Sequence, residues 1–521
     1  FNNPAAWNIN PKTGLASRSP PRNSHLEVET CARCHARRST QWDKYVSGRP
    51  LLDTHVPATL DDPLYYSDGQ INDEVYVYGS FLQSKMYQKG VTCSDCHNPH
   101  SLKLKAEGNQ LCNSCHQATK FDTSKHHFHK TESEGTECTA CHMPKKNYMV
   151  IDARGDHSFR IPRPDLSLKL GVPNACTQCH QNENDKWAAA VIEKWYPENP
   201  RRKVIHYGEA LSAGRRGTID ANQLLIDLAN DASKPAIVRA TATSLLQGYL
   251  NPNNLSTIND LLHDEDAIVR FSSISVAEGF PPQVKVKLLK HLLQDDLRML
   301  RIEAARALAD SREQLSNENL KAQFDQALDE YITAQYASAE RPEAHTNLGT
   351  LHASMLRIDL AQREFEQAIA IDPSFIPAYI NLADLYRARG LDGQGKRYLE
   401  TAIEKRPDAG SAHHALGLLY VRQKKLKDAL SSLKIAVELE SQNTRYKYVY
   451  AVALDSTGQP KKAIEVLKRA HEQRQSDRDV LYALISFHQK AGDLGNAKYY
   501  ASILIQVSPW DQNAHAIMKS L

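Results

Sequence analysis

The chain has 521 residues and a formal net charge of +3. A charge so close to balance gives no argument for a nucleic-acid partner, and no run of about 18 apolar residues is present that would form a transmembrane segment. The length is too great for one hydrophobic core and predicts about three or four domains. The chain begins at Phe1 with no charged-then-apolar leader, as expected of a processed chain or a fragment.

All ten cysteines stand in the first 180 residues. In chain order they read Cys31-Ala-Arg-Cys34-His35, Cys93-Ser-Asp-Cys96-His97, Cys112-Asn-Ser-Cys115-His116, Cys138-Thr-Ala-Cys141-His142 and Cys176-Thr-Gln-Cys179-His180. A disulfide framework has no reason to follow every second cysteine with histidine. Structural zinc would take Cys-x-x-Cys knuckles in twos, and five knuckles leave one unpaired. Haem attachment accounts for every position. Two thiols add across the vinyl groups of one porphyrin, the two-residue gap sets their spacing on a short helical turn, and the adjoining histidine lies under the iron. The expected cofactors are therefore five haem c groups, with His35, His97, His116, His142 and His180 as proximal iron ligands. Such attachment takes place outside the cytoplasmic membrane, so the expected address is periplasmic or extracellular.

Each iron has a sixth position. Besides the proximal five, the first 180 residues contain His25, His55, His100, His126, His127, His129 and His157. That supply suffices for bis-His ligation at every haem, a ligation that favours low potentials relative to His/Met. In Cys-His-Asn-Pro-His100 the proline stiffens the turn and aims the second histidine away from its own haem. The His126-His127-Phe128-His129 cluster should give one or two ligands; in a helical turn His126 and His129 share a face. The competing methionines are Met86, Met143 and Met149. Met143 abuts a proximal histidine and is badly placed for the opposite side of the same haem.

From Trp187 onward the pattern is helical. Arg239, Arg270 and Arg301 recur every 31 residues, each after a polar turn and before an Ala-rich apolar helix. This predicts HEAT-like helical pairs over about 210–312, with the arginines as scaffold residues pairing with turn acids. A 34-residue period follows, the tetratricopeptide length, through Leu348-Gly349…Ala361…Phe365…Ala368…Pro373 and its successors. Here His345, His352, His413 and His488 take repeat positions that pack inside the pair. The expected fold class is mainly α, in three parts. Residues 1–190 form a haem-packed domain with little regular structure, residues 191–312 a linker helix and HEAT-like repeats, and residues 313–521 a leading helix and five tetratricopeptide repeats over about 342–511.

The stretches Gly90–His100, His126–His129, Cys141-His-Met-Pro144, Asp156-His-Ser-Phe-Arg-Ile-Pro-Arg-Pro-Asp165 and Pro173–His180 resemble exported bacterial multihaem cytochromes of the doubled Cys-x-x-Cys-His type fused to tetratricopeptide repeats. The resemblance implies an electron-transfer protein with histidine-rich ligation. The expected function is electron transfer rather than catalysis. The repeats would dock redox partners such as other cytochromes, or assemble copies of the chain, an extracellular filament included. The rival is a multihaem reductase of a nitrogen or sulfur oxyanion, which would need one haem with an open distal side.

Overall fold

The computed structural model describes residues 6–22, 24–200 and 204–521. The chain is mainly helical, and its regular structure changes character along its length. Before residue 185 the helices are short, and the strands form three two-stranded antiparallel hairpins: Ala6–Ile9 with Ala16–Ser19, Arg38–Thr40 with His55–Pro57, and Lys145–Tyr148 with Asp152–Gly155.

Paired helices follow. Between Tyr207 and Tyr336 they run from Tyr207–Arg216 through Ala236–Leu245, Ala267–Ala277 and Arg298–Ala307 to the long Glu318–Tyr336. The 31-residue arginines tie successive pairs together. Arg239 pairs with Asp264, Arg270 with Asp295 at 3.2 Å and Arg301 with Glu330 at 3.0 Å. Arg270 and Arg301 also donate to a carbonyl of the turn before their own helix, Arg301 Nη1 to Asp295 O at 2.7 Å, and Arg239 Nε donates to Ala229 O near the end of the preceding helix at 2.8 Å. They stitch the scaffold.

The next five helices that open a pair are Pro342–Ser354, Ile376–Ala388, Gly410–Arg422, Thr444–Ser456 and Arg478–Lys490, starting 34 residues apart. The small-large pattern explains how each pair closes: a Cβ on Gly349 would run into the Phe365 ring of the partner helix. His345, His352, His413 and His488 are all buried in this region. His345 Nδ1 meets Glu364 Oε2 at 2.6 Å and His488 Nδ1 meets Asp493 Oδ2 at 3.0 Å.

Two contacts fix the larger arrangement. One core runs continuously from Val28 through the 207–336 helices to Leu351, so the N-terminal region packs on the solenoid rather than hanging from it. Polar staples reinforce that seam: Leu60 N–H donates to Thr241 Oγ1 at 3.0 Å, and Arg298 lies 4.1 Å over Trp42 and pairs with Asp53. The solenoid also curls back on itself. Ser476 N–H donates to Gly217 O at 2.8 Å, and Arg474 lies 5.1 Å from the Tyr249 ring. Gly217 has φ +63° and Arg474 fills the space of its missing Cβ, so that turn is built for glycine. No helix among the described residues is long and apolar enough to cross a membrane.

Candidate functional site

Every Cys-x-x-Cys-His motif lies on a short helical turn. Cys31–His35 ends the helix Leu26–His35, Cys112 lies in Asn109–Asn113, and Cys93–Cys96, Cys138–His142 and Cys176–Cys179 are helices in themselves. The caps come from side chains placed for the purpose. Thr92 and Asp95 form a capping box at the second motif, and Asn174 Oδ1 accepts from Cys176 N–H at 3.0 Å and Thr177 N–H at 3.2 Å at the fifth.

Two caps cross from one motif to the next. Glu27, on the helix of the first motif, accepts from Ser94 N–H at 2.9 Å. Asn109, on the helix of the third, accepts from Cys138 N–H at 2.9 Å. In both pairs the leading cysteines stand side by side, Cys31 by Cys93 and Cys112 by Cys138. Motifs one and two are thus joined in the same way as motifs three and four. Cys96 also lies within electrostatic reach of Cys112 and Cys115, and Cys141 of Cys179. The five motifs therefore follow one another in space as they do in sequence.

Three histidine pairs stand out. The rings of His97 and His157 are 6.5 Å apart at 21°, those of His126 and His142 6.1 Å at 16°, and those of His129 and His180 6.1 Å at 35°. Two imidazoles bound through one nitrogen each to the same metal have centroids about 6 Å apart, given metal–nitrogen bonds of about 2 Å and half-rings of about 1.1 Å. In each pair one ring is oriented by a main-chain carbonyl at Nδ1: Gly155 O for His157 at 2.9 Å, Arg160 O for His142 at 2.6 Å and His127 O for His129 at 2.5 Å. A carbonyl only accepts, so Nδ1 carries the proton and Nε2 keeps its lone pair for a metal. Burial pulls His97, His126, His142 and His157 below the usual histidine range, which favours the neutral, ligating form. The residues present fit bis-His haem at these three motifs.

The other candidates are placed differently. His126 and His129 do not share a face, because the helix Ser124–His127 ends at Phe128 with φ +57° and the two rings diverge to His142 and His180. The His127 ring is 6.4 Å from His129, but its Nδ1 accepts from His129 N–H at 3.1 Å, so it is turned onto its own loop. His25 precedes the helix that ends at His35, which separates the two by about 15 Å along the axis. It lies 4.8 Å from the Tyr87 ring. His55 is buried with Nδ1 2.7 Å from Thr54 Oγ1; burial, then Arg38 and Arg33, push it down to about 4. His100 is exposed in a turn held by Asn98. Met149 is 74% exposed at a hairpin tip, no part of a core. His35 and His116 face no imidazole at the paired spacing among the described residues; the ring beside His116 is Phe121, at 5.8 Å.

Comparison with known proteins adds two resemblances. Residues 85–121, which hold the second and third motifs, match the family described as "Doubled CXXCH motif". Residues 342–375, 380–443 and 420–486 match tetratricopeptide-repeat families. Protein O-mannosyl-transferase TMTC3 of Homo sapiens is 26% identical over 188 residues, covering 33% of this chain and 20% of that protein. The chain thus spans about a fifth of that relative's length. Among solved structures, YrrB, a TPR protein with an unusual peptide-binding site, is 23% identical and covers 36% of this chain and 97% of its own, with a TM-score of 0.29. MamA is 18% identical, covering 32% of this chain and 97% of its own, with the same TM-score. A doubled CXXCH motif is thus joined to tetratricopeptide repeats, which serve in general as protein-interaction scaffolds.

Proposed function

We propose that this chain is an exported electron carrier holding five covalently attached c-type haems, one on each Cys-x-x-Cys-His motif. The observation that carries the proposal is the set of three histidine pairs at 6.1–6.5 Å. Each bound haem would supply a one-electron Fe(III)/Fe(II) couple. The cysteines would tether the haems, His35, His97, His116, His142 and His180 would each hold an iron beside its own motif, and His157, His126 and His129 would be the second histidines for the irons of His97, His142 and His180. The order of the motifs in space makes a relay in chain order, and the repeats offer a surface for a redox partner or a second copy.

Intact mass of the purified holoprotein together with low-temperature electron paramagnetic resonance tests this. Five haems, with low-spin bis-His signals from at least three, are expected. A chain without porphyrin, or one loaded with zinc, would end the proposal. A second reading applies to the haems of His35 and His116, which lack a facing imidazole: an open sixth position able to take a small oxyanion. A high-spin fraction that shifts on adding nitrite or cyanide supports it; low-spin spectra for all five haems reject it.

A further inference from the structure

The segment 155–160 supplies the carbonyl that orients His157 and the one that orients His142, rings assigned above to two different haems. The second link is reciprocal, since Arg160 N–H also donates to His142 O at 2.9 Å. The hairpin holds its start, through Gly155 paired with Lys145 and Asp156 N–H donating to Pro144 O at 3.1 Å, and the side chain of Arg160, 15% exposed, holds its end. Its Nη1 donates to Asp68 O at 2.7 Å and its Nη2 to Gln83 Oε1 at 3.0 Å, while Nε reaches Asp156 Oδ2 at 3.4 Å. Asp68 and Asp156 are both buried, and Asp156 Oδ1 accepts from Ser158 N–H at 2.9 Å, closing the turn around His157. Tyr207, on the first helix of the solenoid, donates to the same Gln83 oxygen at 2.9 Å. The planar fork of the guanidinium thus ties the segment to two separate parts of the N-terminal region, at Asp68 and at Gln83, while Nε closes onto Asp156 within the segment.

We infer that Arg160 is a positioning residue that sets the ligand geometry, and through it the potentials, of two haems together: the one on Cys93 and Cys96 and the one on Cys138 and Cys141. The inference rests on the histidine pairing proposed above. The hydrogen bond at Nδ1 governs both the orientation of an axial imidazole and the electron density it gives to iron. Loosening one segment would therefore change two of the five centres and spare the other three.

The test is a potentiometric titration, with paramagnetic resonance at each stage, of haem-loaded Arg160→Met and Arg160→Lys. The affected centres are assigned with His157→Met and His126→Met, and Arg306→Met is the control, since Arg306 pairs with Glu278 and Glu303 far along the solenoid. In Arg160→Met two of the five potentials and their two low-spin signals should shift. Arg160→Lys, which keeps the cation but loses the fork, should shift the same two by less and serves alone if the methionine variant does not fold. Haem-loaded variants with all five centres as in wild type, or with all five displaced alike, would overturn the inference. Failure of the pairing itself reads differently: wild-type protein would then lack the bis-His signals before any substitution is made.

Discussion

Between Leu82 and Ala188 the buried aliphatic and aromatic side chains are Tyr148, Pro164, Leu166 and Val172, whereas the single repeat pair Arg478–Lys490 with Leu494–Val507 buries Val480, Leu481, Leu484, Ile485, Phe487, Tyr500 and Leu504 among others. A segment of the first kind cannot offset the conformational entropy of ordering its backbone by burial of its own side chains. Caps passed between motifs, such as Glu27 to Ser94 and Asn109 to Cys138, hold its turns in register but supply little apolar burial. Under the proposed function, porphyrin would supply the missing apolar mass. The contrast is between a solenoid that carries its own core and a region that, under the proposed function, would take its core from a cofactor.

The strongest way to break that contrast is to prevent attachment. A chain with Cys138→Ser and Cys141→Ser should lose protection across the neighbouring motifs in hydrogen exchange, while the repeats from Pro342 onward stay protected. Equal loss in both regions would mean that the two are not distinct. Next in size is a single ligand: His157→Ala should turn one haem from low to high spin and leave the helical circular dichroism unchanged.

Effects on the solenoid are smaller and should leave the haem spectra untouched. Gly217→Ala places a Cβ where Arg474 lies, on a backbone of positive φ. It should cost about 1–3 kcal/mol in denaturant unfolding. The smallest expected effect is at Glu27. Burial pushes its carboxyl up, but the hydrogen bonds from Ser94 and Thr92 and the Arg22 guanidinium outweigh burial and hold it below the usual range. A carboxyl lowered in the folded state stabilises in full above about pH 4.3 and loses that contribution as pH falls through the lowered value. Glu27→Gln should therefore cost about 1 kcal/mol at neutral pH and flatten the acid limb of stability; an acid titration of unfolding free energy reads both.

The parts legible in the sequence were those fixed by local spacing. The Cys-x-x-Cys-His turns are, and so are the 34-residue repeat and the packing of His345, His352, His413 and His488 within it. The 31-residue arginines announced their role in part: Asp264 and Asp295 lie in turns at the same offset from Arg239 and Arg270, whereas Arg301 takes Glu330 inside the helix Glu318–Tyr336. What spacing could not give was the pairing of histidines. The divergence of His126 and His129 depends on one left-handed residue, Phe128, that no glycine or asparagine signals. The orientation of His142 depends on the carbonyl of Arg160, 18 residues away. Likewise the return of Arg474 and Ser476 onto Gly217 is a property of accumulated solenoid curvature, absent from any single repeat.

The central claim is that the His97–His157, His126–His142 and His129–His180 pairs each bracket an iron. Paramagnetic resonance of the oxidised holoprotein, compared with that of His157→Ala, His126→Ala and His129→Ala, tests it most directly. Each variant should remove one low-spin bis-His signal, a different one each time, and add one high-spin centre. Three variants with the full wild-type set of low-spin signals would contradict the account.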